Sequence, residues 1–209
     1  SSASAGKITL LGAIQLNALY AYQKQSRVVN AIAWSPDGQY IASASDDGTV
    51  LVVAAQTNAT IFIYTGHKSP VNTVAWSPDG QFIASGDSTG AVHLWPPNGS
   101  FDAYINHVHS QPVTALAWSP DTLSIASASA DTTVQIWSPS DYANLSVYTG
   151  HSRSVNALAW SPDGARLVSG SDDTTAQVWQ ASDGSPLQTY KGHSGSVETV
   201  AWSPNGQSI

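Results

Sequence analysis

Apolar and polar residues alternate along this chain in bursts of about five, and turn-forming residues close each burst. Between Val29 and Asn72 the pattern predicts four strands: Val29–Trp34, Tyr40–Ala44, Thr49–Val53 and Thr60–Tyr64. Ser35-Pro36-Asp37-Gly38 turns the chain after the first, with Pro fixing φ and Gly accepting φ > 0. Asp46-Asp47-Gly48 makes the second turn, and a loop at Gly66-His67 ends the unit. A period of two residues with this density of turns excludes stacked helices and predicts an all-β chain.

The unit repeats. Ala-Trp-Ser-Pro recurs with its Trp at 34, 76, 118, 160 and 202, a constant spacing of 42, and Asp-Gly or Asn-Gly follows in four of the five copies. Four short antiparallel strands per period, with Ala, Ser and Gly crowding the second, suit wedge-shaped sheets packed face to face around an axis. Thr-Gly-His at 65–67 and 149–151, Lys-Gly-His at 191–193, Asp-Thr-Thr at 131–133 and 173–175, and Trp95, Trp137 and Trp179 complete the pattern. On these motifs the chain resembles the WD-repeat β-propeller family over essentially its whole length. It departs from the family where an Asp commonly follows the third-strand Trp, having Pro96, Ser138 and Gln180 there.

The register divides residues 1–209 into one propeller domain, with full repeats at 23–65, 66–107, 108–149 and 150–191, a half-blade at 1–22 and another at 192–209. Ser1–Gly6 aligns with a second turn, Lys7–Leu11 with a third strand and Leu19–Tyr22 with a fourth, while 192–209 supplies a first strand and the start of a second. Five periods of 42 make 210, so the halves are expected to complete a fifth blade, closing the ring that would otherwise expose strand edges. Exchange of half-blades between copies, or membership of a propeller of about seven blades, are the other outcomes the register allows. A chain that opens Ser1-Ser2-Ala3 and contains no Met is expected to be processed or part of a longer protein.

Alignment of the repeats brings out His109, Ser127 and Asp131, and again His151, Ser169 and Asp173, the residue types of a serine hydrolase. Each set is followed six residues on by a Trp, Trp137 or Trp179, and an active site has no reason to occur once per blade. The resemblance implies instead a structural hydrogen-bond network of Asp, His, Ser and Trp, whose disruption would cost about 1–3 kcal/mol. The second repeat has His67, Ser85 and Trp95 but Thr89 in the Asp position, and the first has Ser43 and Asp47 but Gln25 for His and Val53 for Trp. These two blades are expected to be looser.

Charge changes the picture further. Charged residues are only 10% of the chain and the net charge is -7, with the seven Lys and Arg scattered, the wrong sign and pattern for a phosphate-backbone binder. No apolar run reaches a membrane span and no leader pattern opens the chain. The absence of Cys excludes disulfides and thiolate sites. His107 and His109 stand two apart without a third ligand fixed by spacing, so no metal and no cofactor is expected. Sequons at Asn58, Asn98 and Asn144 are expected by chance in so Ser/Thr-rich a chain. The five Ala-Trp tryptophans are expected to pack blades rather than stack on sugars or bases.

By resemblance, partner-binding positions gather on one face of the ring, around the first-strand Val and before the network Asp. They are Val28, Asn30 and Asp46; Pro70, Asn72 and Ser88; Pro112, Thr114 and Ala130; and Ser154, Asn156 and Asp172. This polar, nearly uncharged set suits a protein or peptide partner and lacks the Arg cluster of a phosphopeptide reader. A non-catalytic protein-interaction scaffold is therefore expected. The alternatives are a repeated glycan or small-ligand binder, favoured by Asn, Ser and Thr, and a self-assembling oligomer or filament built by half-blade exchange.

Overall fold

The computed structural model describes residues 8–11 and 18–22 as backbone strands and residues 24–100 and 103–209 in full. Four antiparallel four-stranded sheets follow one another along the chain. The first holds β3 (Val29–Trp34), β4 (Tyr40–Ser45), β5 (Val50–Ala54) and β6 (Thr60–Tyr64). The second holds β7 (Val71–Trp76), β8 (Ile83–Asp87), β9 (Ala91–Trp95) and β10 (Tyr104–His107). The third is β11 (Val113–Trp118), β12 (Ile125–Ser129), β13 (Val134–Trp137) and β14 (Asn144–Tyr148). The fourth is β15 (Val155–Trp160), β16 (Arg166–Ser171), β17 (Ala176–Gln180) and β18 (Pro186–Tyr190). Ahead of them, β1 (Ile8–Leu11) and β2 (Ala18–Tyr22) pair with each other. Among the described residues no helix is long and apolar enough to cross a membrane.

Burial explains the small residues. In β8 and β12 every position is buried, because the second and third blades each have a sheet on both faces. A Cβ added to Gly86 would come within 2.6 Å of the Val113 side chain of the next blade, and one on Gly170 within 2.7 Å of Val197. Close approach, not turning, selects glycine there.

Two series of hydrogen bonds recur from blade to blade. Asn30 Nδ2 donates to the Val71 carbonyl at 2.9 Å, Asn72 Nδ2 to that of Val113 at 2.9 Å, and Thr114 Oγ1 to that of Val155. In the other direction the indole N–H of Trp76 donates to the Ala33 carbonyl at 3.2 Å, Trp160 to Ala117 at 3.1 Å and Trp202 to Ala159 at 3.1 Å. The Trp118 indole N–H, at the equivalent place, is buried without an acceptor among the described residues.

The arc of sheets is not closed. The split blade expected from the register is not drawn into one sheet: among the described residues β1 and β2 pair only with each other, and residues 192–209 contain no strand. The physical reason is local. The first-strand equivalent at 197–202 has no second strand beside it, and its Val197 N–H donates to the Ser171 carbonyl at 3.0 Å, docking it on the fourth sheet. At the opposite end of the arc β3 alternates half-buried with exposed residues, and Ile32 and Trp34 are 51% and 49% exposed. The aligned turn at Ser1–Gly6 lies outside the described residues.

Candidate functional site

In the third and fourth blades the turn between the second and third strands holds an Asp whose side chain accepts hydrogen bonds from its own turn. Asp131 Oδ1 accepts from the N–H and hydroxyl of Thr133 at 3.0 and 2.7 Å, and Asp173 Oδ1 does the same with Thr175 at 2.9 and 2.6 Å. The other carboxylate oxygen reaches the loop before the first strand. Asp131 Oδ2 lies 3.0 Å from His109 Nδ1, and Asp173 Oδ2 lies 2.8 Å from His151 Nδ1. The far ring nitrogens meet the second strand: His109 Nε2 is 2.8 Å from Ser127 Oγ, and His151 Nε2 is 2.7 Å from Ser169 Oγ. In the fourth blade the Trp179 indole N–H donates to Ser169 Oγ at 3.3 Å.

Electrostatics follows from this bonding. Burial works to raise the Asp173 carboxyl, but the Thr175 hydroxyl, His151 and two backbone N–H groups overcome it and hold it down at about 2. Asp131 is likewise held below the usual carboxylate range, by Thr133 and the Ser110 N–H against a burial penalty. His109 is shifted down by burial, which outweighs the attraction of Asp131.

In the second blade Asp87, two residues earlier than expected, supplies the carboxylate, so Thr89 does not leave a gap. Asp87 Oδ2 lies 2.9 Å from His67 Nδ1, His67 Nε2 lies 2.7 Å from Ser85 Oγ, and the Trp95 N–H donates to Ser85 Oγ at 3.1 Å. Thr89 now donates to Asp87 Oδ1 through its N–H and hydroxyl, at 2.8 and 2.6 Å. The premise that this blade lacks the network carboxylate therefore fails. The missing signal was a compensating change: Asp87 stands where the other repeats have Ser45, Ser129 and Ser171. In the first blade an amide replaces the imidazole, with the Ser43 hydroxyl donating to Gln25 Oε1 at 2.7 Å and Gln25 Nε2 to the Ser43 carbonyl at 3.0 Å.

The third blade also departs from expectation. The Trp137 indole N–H, expected to join the network, is buried without an acceptor among the described residues. Tyr64 and Tyr148 stack on Trp95 and Trp179 with ring centroids 4.7 Å apart in each case. Asn106 stands in that place before Trp137, so its ring lacks the stacked tyrosine that fixes the other two.

His93 was not singled out by its sequence. It occupies the third-strand position of Gln135 and Gln177, its Nδ1 lies 2.7 Å from the Tyr64 hydroxyl, and its ring stacks on His67 at 3.7 Å. Burial and the neighbouring His67 push it down to about 3, and burial beside Asp87 pushes Tyr64 up to about 12. His67, Asp87 and His93 bring ligand atoms within 4.8 Å of one another. In-plane lone pairs of two stacked rings run side by side rather than converging on an ion, and both His67 nitrogens are hydrogen-bonded. The arrangement suits a packed stack. His107, weighed with His109 as a ligand pair, is exposed while His109 is buried in its network.

The positions expected to bind a partner lie together at the loop end of the sheets. The N–H of Asp46 donates to the Val28 carbonyl, Ser88 to Pro70, Ala130 to Pro112 and Asp172 to Ser154, all at 2.9–3.0 Å. Several side chains among them are engaged internally. Asn30 Nδ2 donates to Asp46 Oδ1 at 2.7 Å as well as to the next blade, Asn156 Nδ2 donates to Asp172 Oδ1 at 2.7 Å, and the Ser88 hydroxyl donates to Asn72 Oδ1 at 3.1 Å. Val28 is exposed, while the remaining eleven are half-buried or, for Asn30, exposed.

Comparison with protein families finds one model, described as WD domain, G-beta repeat, matching residues 16–53, 58–96, 102–138, 143–180 and 184–209. Each match starts near the last strand of one sheet and continues into the next, so the repeat unit is staggered against the blade. Comparison with curated proteins gives no match.

Proposed function

Since the chain belongs to the WD-repeat family, whose repeats generally mediate protein–protein interaction, we propose that it is a non-catalytic scaffold presenting the loop end of its sheets to a protein or peptide partner. The observation that carries this is the burial of the apparent triads. Ser85, Ser127 and Ser169 are each 0% exposed and sit behind their own histidines, so a substrate carbonyl would have to unpack a blade to meet the hydroxyl. The networks act as struts that hold the loop end rigid, which favours binding there. Internal use of Asn30, Asn72 and Asn156 leaves fewer free polar groups for a glycan. The low, mostly negative charge favours protein over nucleic acid as the partner class.

In the same proposal residues 1–209 form one domain, with 1–22 and 192–209 as the halves of a fifth blade. The exposed Ile32 and Trp34 support it, since their equivalents in the next three blades are buried or half-buried beside a neighbouring blade. The same face favours a second reading, exchange of half-blades between copies. Mass that grows with concentration in light scattering would identify exchange.

The scaffold proposal is tested by selecting peptides from a displayed random library on the immobilised chain. The selected peptides should lose at least about tenfold in affinity for a Val28→Asp/Pro112→Asp/Ser154→Asp variant. Peptides indifferent to those changes, or an ester hydrolysis that Ser127→Ala and Ser169→Ala abolish, would overturn it.

A further inference from the structure

At the other end of the sheets, where the Ser-Pro-Asp-Gly turns lie, one column of residues decides what covers the Ala-Trp tryptophans. The residue that opens the second strand or immediately precedes it, at 40, 82, 124 and 166, neighbours the Trp that follows one blade on. Tyr40 stacks on Trp76 at 6.4 Å with 18° between the rings, and Phe82 packs against the cluster that contains Trp118. Arg166 places its guanidinium over Trp202, 4.7 Å from the ring centroid. A cavity of about 360 Å³ lies between the third and fourth blades, as one of about 400 Å³ does between the first and second; there Tyr40 stacks on Trp76, whereas Ser124 offers Trp160 only a hydroxymethyl group.

The groups that hold Arg166 one blade on are all repeated around this cavity. Arg166 Nη2 donates to the Gly206 carbonyl at 3.0 Å and lies 3.7 Å from Asp163 Oδ2, under the face of Trp202. A shift of 42 residues converts these three groups to Gly164, Asp121 and Trp160, each of which lines the cavity. Their local geometry matches as well. Gly164 and Gly206 share φ values of 69° and 68°. Asp121 Oδ1 accepts from Ser119 Oγ and the Leu123 N–H, as Asp163 Oδ1 does from Ser161 Oγ and the Ala165 N–H. The Trp160 indole N–H is tied to Ala117 as that of Trp202 is to Ala159, which fixes each ring and presents its face. The Ser119 hydroxyl and Leu123 N–H also keep the Asp121 carboxyl below its usual range, hence ionised at neutral pH.

We propose that the cavity between the third and fourth blades binds the guanidinium of an arginine side chain from a peptide or protein partner, in the slot that Arg166 fills between the fourth blade and the segment after it. The guanidinium stacks on Trp160, pairs with Asp121 Oδ2 and donates to the Gly164 carbonyl, while Leu145, exposed at the rim, lies along the methylene stem. A lysine loses the planar stack and the fork of donors and binds less well. This site lies at the opposite end of the sheets from the loop face and does not depend on it.

The probe is acetyl-Gly-Arg-Gly-amide, titrated into ¹⁵N-labelled protein while the indole N–H resonances are followed. We expect a saturable shift centred on Trp160, a several-fold weaker one with the Lys peptide and none with the Ala peptide. Ser124→Arg should abolish the shift by filling the slot in cis, and Asp121→Asn should weaken it by about tenfold. Arg166→Ser should create a second saturable site that reports at Trp202. No shift at Trp160, an equal shift with the Ala peptide, or binding unchanged in both Ser124→Arg and Asp121→Asn would overturn the proposal.

Discussion

Asp87 shows how a single residue can move within a network without dissolving it. The carboxylate sits two positions early, yet reaches His67 at 2.9 Å and is held well below the carboxylate range by His67 and Thr89 against the pull of burial. Asp87→Ser should cost about 1–3 kcal/mol in denaturant unfolding by removing the carboxylate from Nδ1 of the buried His67. Adding Thr89→Asp, which recreates the Ser and Asp of the third and fourth repeats, should recover most of that loss. His93 gives the second residue-scale prediction. Its folded value of about 3 lies below the unfolded 6.5, so the unfolded chain binds the extra proton between those limits and stability falls as pH drops below 6.5. The slope contributed is up to about 1.4 kcal/mol per pH unit. His93→Gln, the residue of the third and fourth blades, should flatten unfolding curves between pH 6.5 and 4; the depressed His109 leaves a residual slope, and Asp87 contributes only below its unfolded 3.8. An unchanged slope would show that His93 is not the titrating group. The His, Ser and Asp of the third and fourth repeats were legible in sequence because they recur in register. Asp87 and His93 were not, because each is a departure whose partners lie 20 or more residues earlier, His67 for Asp87 and Tyr64 and His67 for His93.

Turns and strands were legible because alternation and Pro-Gly punctuation act over a few residues. The strand bounds expected for the first blade differ from those found by one residue at most, as when Thr49–Val53 becomes Val50–Ala54. Backbone conformation inside the turns was less legible. The position that Gly48 and Gly90 fill with φ of 82° and 90° is occupied by Thr132 and Thr174 at 75° and 70°, a left-handed conformation that β-branched residues resist. Thr132→Gly and Thr174→Gly should each raise stability by about 0.5–1 kcal/mol, the relief of that strain exceeding the entropy a glycine adds to the unfolded chain. The reverse change, Gly90→Thr, would place a Cβ 2.2 Å from the His109 carbonyl oxygen and should destabilise strongly in thermal melts. A Thr132→Gly variant no more stable than the parent would mean the turn tolerates the strained conformation without cost.

At the scale of the molecule the period of 42 residues carried most of what could be read, since it gave the four complete sheets, their strand order and the blade-to-blade register. It could not show which side chains the junctions consume: Asn30, Asn72 and Thr114 read as free surface in sequence and are hydrogen-bonded to the next blade. Nor could it show how the arc ends, because closure depends on contacts between segments a full chain apart. The junction series makes that end testable. Trp76, Trp160 and Trp202 each donate to an Ala carbonyl 43 residues earlier, and a fifth blade seated before the first would give Trp34 the carbonyl of Ala201. The most direct measurement is hydrogen exchange of the Trp34 indole N–H by NMR in dilute solution. A closed ring of blades predicts protection comparable to Trp76 and Trp160; exchange at the rate of a free indole would contradict closure and leave the first blade an open edge.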